Sequence, residues 1–328
     1  MGRLFVNQLR ENESISEVYL IAEKALRPNK NGVLYLQFIL QDRTGSVSGR
    51  LWNATESLAQ GFFDGDFVRC EGTVQNFQGN LQVIAKKLTK VEPDEVAQED
   101  FARGTKVDVA ALLKRLRELT HEIKNPQLFD LVDCFLVDET FVERFSRAFA
   151  GVRLHHAYPG GLLEHTVTMM EVALRIAPLY GSILDVDLLL TGAFLHDVGK
   201  TAELSDDPHS PVYTGEGQSL GHPYLGVEIL REKIAELEKM TGQQFDGRLA
   251  YVLKHMILSH HGTAENGAAK PPMCLEALAL HYIDTLDAKL VEFNGYILDD
   301  PNPNSFWTSY IQNAERKLMR TKNPPVGE

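Results

Sequence analysis

A chain of 328 residues, 44% hydrophobic and 24% charged, has the composition of a globular protein and the length of two domains, which excludes a disordered or fibrous class. The formal charge of −12 argues against a uniformly basic nucleic-acid binder, yet residues 1–91 carry 11 Lys and Arg against 9 Asp and Glu, a balance of +2, so a polyanion would meet this part first. The opening residues lack the apolar core of a secretory signal, and no uncharged stretch reaches the roughly 18 residues of a transmembrane helix. With Cys70, Cys134 and Cys274 scattered, no disulfide framework or CxxC zinc motif is indicated, and a reducing cytoplasm with no membrane attachment is the expected setting.

In chain order, EVYLIAEKALR (17–27), VLYLQFILQD (33–42), SGRLW (48–52), FVRCEGTVQNF (67–77) and LQVIAKKLTKV (81–91) read as five short strands separated by turn residues. A Gly closes the turn from Asp42 to Gly45, and a helical insert fits Ala54 to Gly61. Five such strands suit a small Greek-key barrel of OB type over residues 1–91. LYLQFILQDRTGSVSGRLW resembles the nucleic-acid-binding OB module of anticodon-binding domains. Tyr35, Phe38 and Trp52 either fill such a barrel or stack on bases from its exposed face. Phe77, at a hairpin tip where a ring is poorly buried, is the best stacking candidate, with Lys24, Arg27, Lys30, Arg43 and Arg50 as phosphate contacts. Strict alternation would put Lys86 and Lys87 on opposite faces, so that only one, taken as Lys86, lines the binding face.

Acidic, aperiodic residues 92–106 read as a linker or a wrap-around connection. The period then becomes helical: Leu112, Leu113, Leu116 and Leu119 share a face, and two further helices complete a connector over 107–150. Residues 301–328, with ERKLMR, read as a terminal helix and frayed tail.

All eleven histidines lie between His121 and His281, and imidazole is the commonest metal ligand near neutral pH. His165 falls one turn inside a helix that begins after Gly160-Gly161. His196-Asp197 ends an almost wholly apolar helix, His222 opens another, His260-His261 closes one, and Asp284 sits on an apolar helix with His281 and Asp287 three residues to either side. A buried helix ending in adjacent His and Asp either holds a metal or leaves a costly desolvated charge. His121, His209 and His255 fall outside this pattern, and for His155 packing or capping is the simpler role.

The series H...HD...H...HH...D is similar to the HD superfamily of metal-dependent phosphohydrolases over residues 151–300, so the expected architecture is multidomain, a small all-β OB-type barrel followed by an all-α HD domain. The resemblance implies His165, His196, Asp197 and Asp284 around a first metal, and His222 and His260 around a second with Asp197 as the bridge. His261 would be a further ligand or a substrate contact. Lys200, in HDVGK, would neutralise charge on the phosphoryl group beside the catalytic Asp197. His281 and Asp287 would orient ligands through hydrogen bonds or meet substrate, and His156 would join them or reach the mouth of the site, or else pack and cap.

An OB module followed by an HD domain resembles the bacterial YhaM-type 3′-to-5′ exoribonucleases. The resemblance implies metal-dependent hydrolysis of single-stranded RNA, or DNA, to nucleoside 5′-monophosphates. The alternative is an HD phosphohydrolase acting on a small nucleotide, with the barrel regulatory. Absence of a GYP sequence after His260-His261-Gly262 counts against cyclic-dinucleotide phosphodiesterases, and the complete ligand series counts against a purely binding adaptor. Two divalent ions are expected, with manganese favoured and iron, cobalt, nickel and zinc open. A homo-oligomer, and the choice between RNA and DNA, also stay open.

Overall fold

The computed structural model describes residues 3–77, 80–97, 100–101, 108–151, 156, 158–205, 211–298, 300, 305–311 and 313–321. It divides into two compact units, residues 1–104 with 293–328, and residues 105–292. No described helix is long and apolar enough to cross a membrane.

In the first unit five strands, β1 (Ser14–Pro28), β2 (Leu34–Asp42), β3 (Gly45–Trp52), β4 (Phe67–Phe77) and β5 (Asn80–Val91), close a barrel in the order β1-β2-β3-β5-β4. All pairings are antiparallel except β3 with β5, which joins the ends of the sheet. The sequence alternation decides which side chains go in: Leu36, Phe38 and Leu40 are fully buried, whereas Tyr35 is half-buried and Trp52 exposed. Phe38 is therefore the ring that fills the barrel. Opposite it, a Cβ on Gly49 would come within 2.1 Å of Phe38 Cε2, so this strand position needs glycine for space. The predicted insert forms as α1 (Glu56–Gln60), capped by the Thr55 hydroxyl.

Two expectations change in this unit, and one is narrowed. The β4–β5 register slips between Glu71 and Gly72, leaving Lys86 as the extra residue of a bulge, so Lys86 and Lys87 are both exposed rather than on opposite faces. The acidic segment is a wrap-around connection rather than a free linker, because Phe101 is buried with Val18, Leu20, Phe67 and Val91, and Asp100 pairs with Arg3 and Arg43. Among the described residues of 305–321 there is no helix. Leu318 and Arg320 are buried with Met319 exposed between them, and isolated bridges join Trp307 to Met319 and Ile311 to Arg316. Arg320 is held by Asp300 at 2.9 Å and by the Ile297 carbonyl at 3.2 Å, which anchors this stretch in extended form.

The second unit is helical: α2 (Val109–Thr120), α3 (Pro126–Leu136), α4 (Glu139–Arg147), α5 (Gly161–Ile176), α6 (Val186–Leu195), α7 (Lys200–Glu203), α8 (Gly215–Leu220), α9 (His222–Thr241), α10 (Gly247–Ser259) and the part of α11 (Leu275–Leu298) up to Glu292. Asp108, Asn125, Asp138, Asp185 and Asp246 each accept a backbone N–H at a helix start, as short polar N-caps do. The predicted connector is part of this core rather than a spacer, since Phe135, Phe141 and Phe145 pack around Phe194 of α6.

Candidate metal centre and nucleic-acid face

The metal-ligand candidates are delivered by helix ends and helix interiors of the second unit. His165 stands inside α5, His196 caps the C-terminus of α6, His222 opens α9, and His260 caps α10, while Asp284 projects from α11. Gly199, between α6 and α7, allows the closest approach: a Cβ there would meet the His222 carbonyl at 2.0 Å, so glycine lets the His-Asp turn lie against the start of α9.

Hydrogen bonds on the far side of each ring decide how the rings point. His196 Nδ1 donates to the Ala193 carbonyl at 2.9 Å and His260 Nδ1 to the Ile257 carbonyl at 2.7 Å. His165 Nδ1 is 2.7 Å from Asp287 Oδ2, and His222 Nδ1 is 3.0 Å from Glu203 Oε1. Four Nε2 atoms are thereby turned inward, the orientation a metal ligand requires. They converge: His165 Nε2 lies 3.1 Å from His196 Nε2 and 3.3 Å from Asp284 Oδ1, and His222 Nε2 lies 3.2 Å from His261 Nε2.

Asp197 stands between the two clusters. Its Oδ1 is 3.3 Å from His222 Nε2 and 3.5 Å from His260 Nε2, and its Oδ2 is 3.4 Å from His196 Nε2 and 3.8 Å from His165 Nε2. Asp197 Oδ1 and His260 Nε2 are buried and make no hydrogen bond. Buried lone pairs facing one another without a proton between them are costly, and a cation relieves that cost. The donor set thus fits divalent ions: His165, His196 and Asp284 present ligand atoms within 4.8 Å of one another, as do His222, His260 and His261.

The electrostatics follow from burial and neighbours. Burial disfavours the charge of Asp197, but Lys200 and His196 outweigh it and hold the carboxyl well below the usual carboxylate range. Burial also opposes the charge of Asp284 and Asp287, yet His165 bears on both, joined at Asp287 by His156, and both stay below the ordinary range. Burial lowers His222 and His260, and it takes His261 down to about 4, with His260 adding repulsion. His165 goes the other way: burial lowers it, but Asp284 and Asp287 raise it to about 9.

The remaining predicted residues take supporting places. Lys200 Nζ is 2.6 Å from Asp197 Oδ2 and largely buried, so in this structure it holds the aspartate rather than standing free for a phosphoryl group. His281 Nδ1 donates to the His260 carbonyl at 2.7 Å and so fixes the backbone of the His260-His261 turn. His255 accepts the Met273 N–H at 2.9 Å, away from the ligand pattern. His155 and His209 lie outside the described residues. Sequence reasoning missed Glu203, which accepts both the ring N–H and the backbone N–H of His222, and it missed Glu164 and Tyr158, which touch His156. Glu203 follows Asp197 by six residues in HDVGKTAE, which is a weak signal without knowledge of where His222 lies.

On the barrel, four predicted contacts come together. Tyr35 and Trp52 are cross-strand partners with ring centroids 5.1 Å apart, and the Arg50 guanidinium lies 5.8 Å from each and 5.4 Å from the Phe77 ring. Trp52 and Phe77 are 43% and 44% exposed, leaving faces open for stacking. Lys30, exposed in the β1–β2 turn, stands at the Tyr35 end of β2. Arg43 does not join them: it lies at the far end of the β2–β3 hairpin, about 20 Å along the strand, over the Phe5 ring at 4.6 Å and paired with Asp100. Lys24 is also committed, because its ammonium donates to the Ala59 and Phe62 carbonyls behind α1.

An HD domain model matches residues 162–289, and a model of the OB-fold nucleic acid binding domain matches residues 22–91. The 3′-5′ exoribonuclease YhaM of Bacillus subtilis is 37% identical over 279 residues, covering 85% of this chain and 86% of that protein. This chain belongs to the YhaM family. The YhaM of Bacillus velezensis is 36% identical over 280 residues, with the same coverage. Among solved structures, the second OB-fold domain of replication protein A from Methanococcus maripaludis is 25% identical, with a TM-score of 0.22, covering 26% of this chain and 92% of that one. In this YhaM-family chain the HD match takes in every candidate ligand from His165 to Asp284 but begins after His156 and Tyr158.

Proposed function

We propose that this chain is a metal-dependent 3′-to-5′ exoribonuclease that removes nucleoside 5′-monophosphates from single-stranded RNA in the cytoplasm. The observation that carries the reading is the convergence of inward-turned imidazole Nε2 atoms on a buried Asp197 carboxylate that no hydrogen bond satisfies on Oδ1. Divalent cations bound there would act as Lewis acids and make water nucleophilic near neutral pH. His165, His196 and Asp284 would hold one, His222, His260 and His261 the other, and Asp197 would face both. Imidazole and carboxylate donors together accept first-row divalent ions, manganese among them.

The protein's own groups supply orientation. Lys200 keeps Asp197 Oδ2 engaged while Oδ1 faces His222 and His260. Glu203 and Asp287 keep Nδ1 of His222 and His165 occupied, so that neither ring can turn its Nε2 away. Products with a 5′-phosphate require water to attack phosphorus and the bond from phosphorus to the 3′ oxygen to break, leaving a new 3′-hydroxyl on the shortened strand. On the barrel, Tyr35, Trp52 and Phe77 would stack on unpaired bases, with Arg50 and Lys30 facing backbone phosphates.

The test is an RNA oligonucleotide labelled at its 5′ end, incubated with full-length protein and manganese, with a chelator control and the Asp197→Asn variant. The expected result is a ladder shortening from the 3′ end with 5′-monophosphates released, abolished by either control. Internal cuts, or an inert RNA alongside rapid hydrolysis of a free nucleotide, would replace this reading with the small-nucleotide phosphohydrolase.

A further inference from the structure

His156 is held unusually firmly for a residue outside the helices. It is 4% exposed and has a left-handed φ of 47°, a conformation a non-glycine residue keeps only where its surroundings enforce it. Its carbonyl accepts the N–H groups of Ala150 at 3.2 Å and Tyr158 at 2.9 Å, and it lies so close to Gly161 that a Cβ there would approach it to 2.0 Å. The ring is held at both nitrogens. Nε2 is 2.9 Å from Asp287 Oδ2, and Nδ1 lies 2.9 Å from the Tyr158 hydroxyl and 3.2 Å from Glu164 Oε2, which are themselves hydrogen-bonded to each other.

Asp287 Oδ2 also takes the Nδ1 proton of His165 at 2.7 Å. A carboxylate with one partner swings about its own side-chain bonds. The second donor on the same oxygen, from a ring anchored on Tyr158 and Glu164, removes that freedom. The chain Glu164, Tyr158, His156, Asp287 therefore ends in a fixed orientation of His165, whose Nε2 faces His196 and Asp284. Glu203 performs the equivalent task for His222 at the other cluster and touches none of these groups in any described hydrogen bond. We propose that His156 is a positioning residue: acting through Asp287, it directs His165 Nε2 at the cation site shared with His196 and Asp284, and leaves the site of His222, His260 and His261 unaffected.

The proposal rests on His165 being a cation ligand, and the experiment separates the two. Mn2+ alone is titrated by calorimetry into full-length wild type, His156→Phe, His156→Gln and His165→Ala. His156→Phe keeps a ring but loses the donor to Asp287, and it should weaken one class of Mn2+ site by about 10- to 100-fold while sparing the other. His156→Gln places an amide N–H near the former Nε2 and should restore most of that affinity, a rescue that general loosening of the loop would not show. Wild-type affinities at both classes in His156→Phe, or no rescue by glutamine, would overturn the proposal. If His165→Ala itself keeps both classes, the ligand assignment fails instead. Should His156→Phe not fold, the pair Tyr158→Phe with Glu164→Leu asks the same question, because it releases the anchor of the His156 ring and leaves Asp287 in place; selective loss supports the chain, and unchanged binding refutes it.

Discussion

If His165 is a cation ligand as proposed, binding at its cluster competes with a proton. Asp284 and Asp287 overcome the burial penalty and raise His165 to about 9, so near neutral pH the metal-free ring is protonated on both nitrogens. Asp287 holds the Nδ1 proton at 2.7 Å, which leaves the Nε2 proton as the one a cation must displace. Lowering the pH from about 9 to about 7 should therefore weaken Mn2+ binding at this site roughly tenfold per unit, about 100-fold in all, with close to one proton released per ion near pH 7. His222, His260 and His261 are pushed down by burial, His261 to about 4, so they are already neutral over this range and their site should show almost no slope. Calorimetry in two buffers of different ionisation enthalpy reads the proton release, and affinities at three pH values read the slope. Two flat affinity profiles, or no proton release at either site, would refute the reasoning. The same raised pKa stabilises the metal-free fold fully below the ordinary imidazole value of 6.5, and that contribution is lost as pH rises through about 9. The thermal midpoint of chelated protein should accordingly fall across the range in which metal affinity rises.

Asp197→Asn should cut hydrolysis of RNA by about a thousandfold or more, since it removes several kcal/mol of cation stabilisation, while a fluorescence titration with a single-stranded oligonucleotide stays within a few-fold of wild type. Trp52→Ala and Phe77→Ala should each raise the KM for single-stranded RNA by the equivalent of about 1 to 3 kcal/mol per lost stack and leave turnover of bis(p-nitrophenyl) phosphate unchanged; equal loss on both substrates would remove these rings from strand binding. Gly49→Ala should destabilise the barrel by on the order of 1–3 kcal/mol, because its methyl would overlap Phe38, and an unaltered thermal unfolding curve would contradict that packing.

Much of this protein is legible in one dimension. Alternating apolar residues in LYLQFILQD and helical spacing in VAALLKRLRELT select strand and helix locally, because side chains repeat every two residues in one and every 3.6 in the other, and the turns between them are marked by Gly, Pro and Asn. The ligand residue types are legible too, since a His-Asp pair closing a buried helix has few uses besides metal. What tertiary structure alone decides is the company each residue keeps. Alternation puts Phe38 and Tyr35 on opposite faces of one strand, yet only the closed barrel brings Tyr35 beside Trp52 and Arg50. Arg43 and Lys24 look like phosphate contacts until folding commits them to Asp100, Phe5 and two carbonyls. A bulge, invisible to a strict period of two, turns Lys86 and Lys87 to solvent together. The partners of the proposed metal ligands are less legible: spacing marks Asp287 beside Asp284 but not its meeting with His165 across 122 residues, and Glu203 meets His222 across 19 with no local pattern. Backbone propensities act over a few neighbouring residues, whereas hydrogen bonds that aim an imidazole act through space, so the chain alone specifies the donors and only the packed helices specify where their lone pairs point.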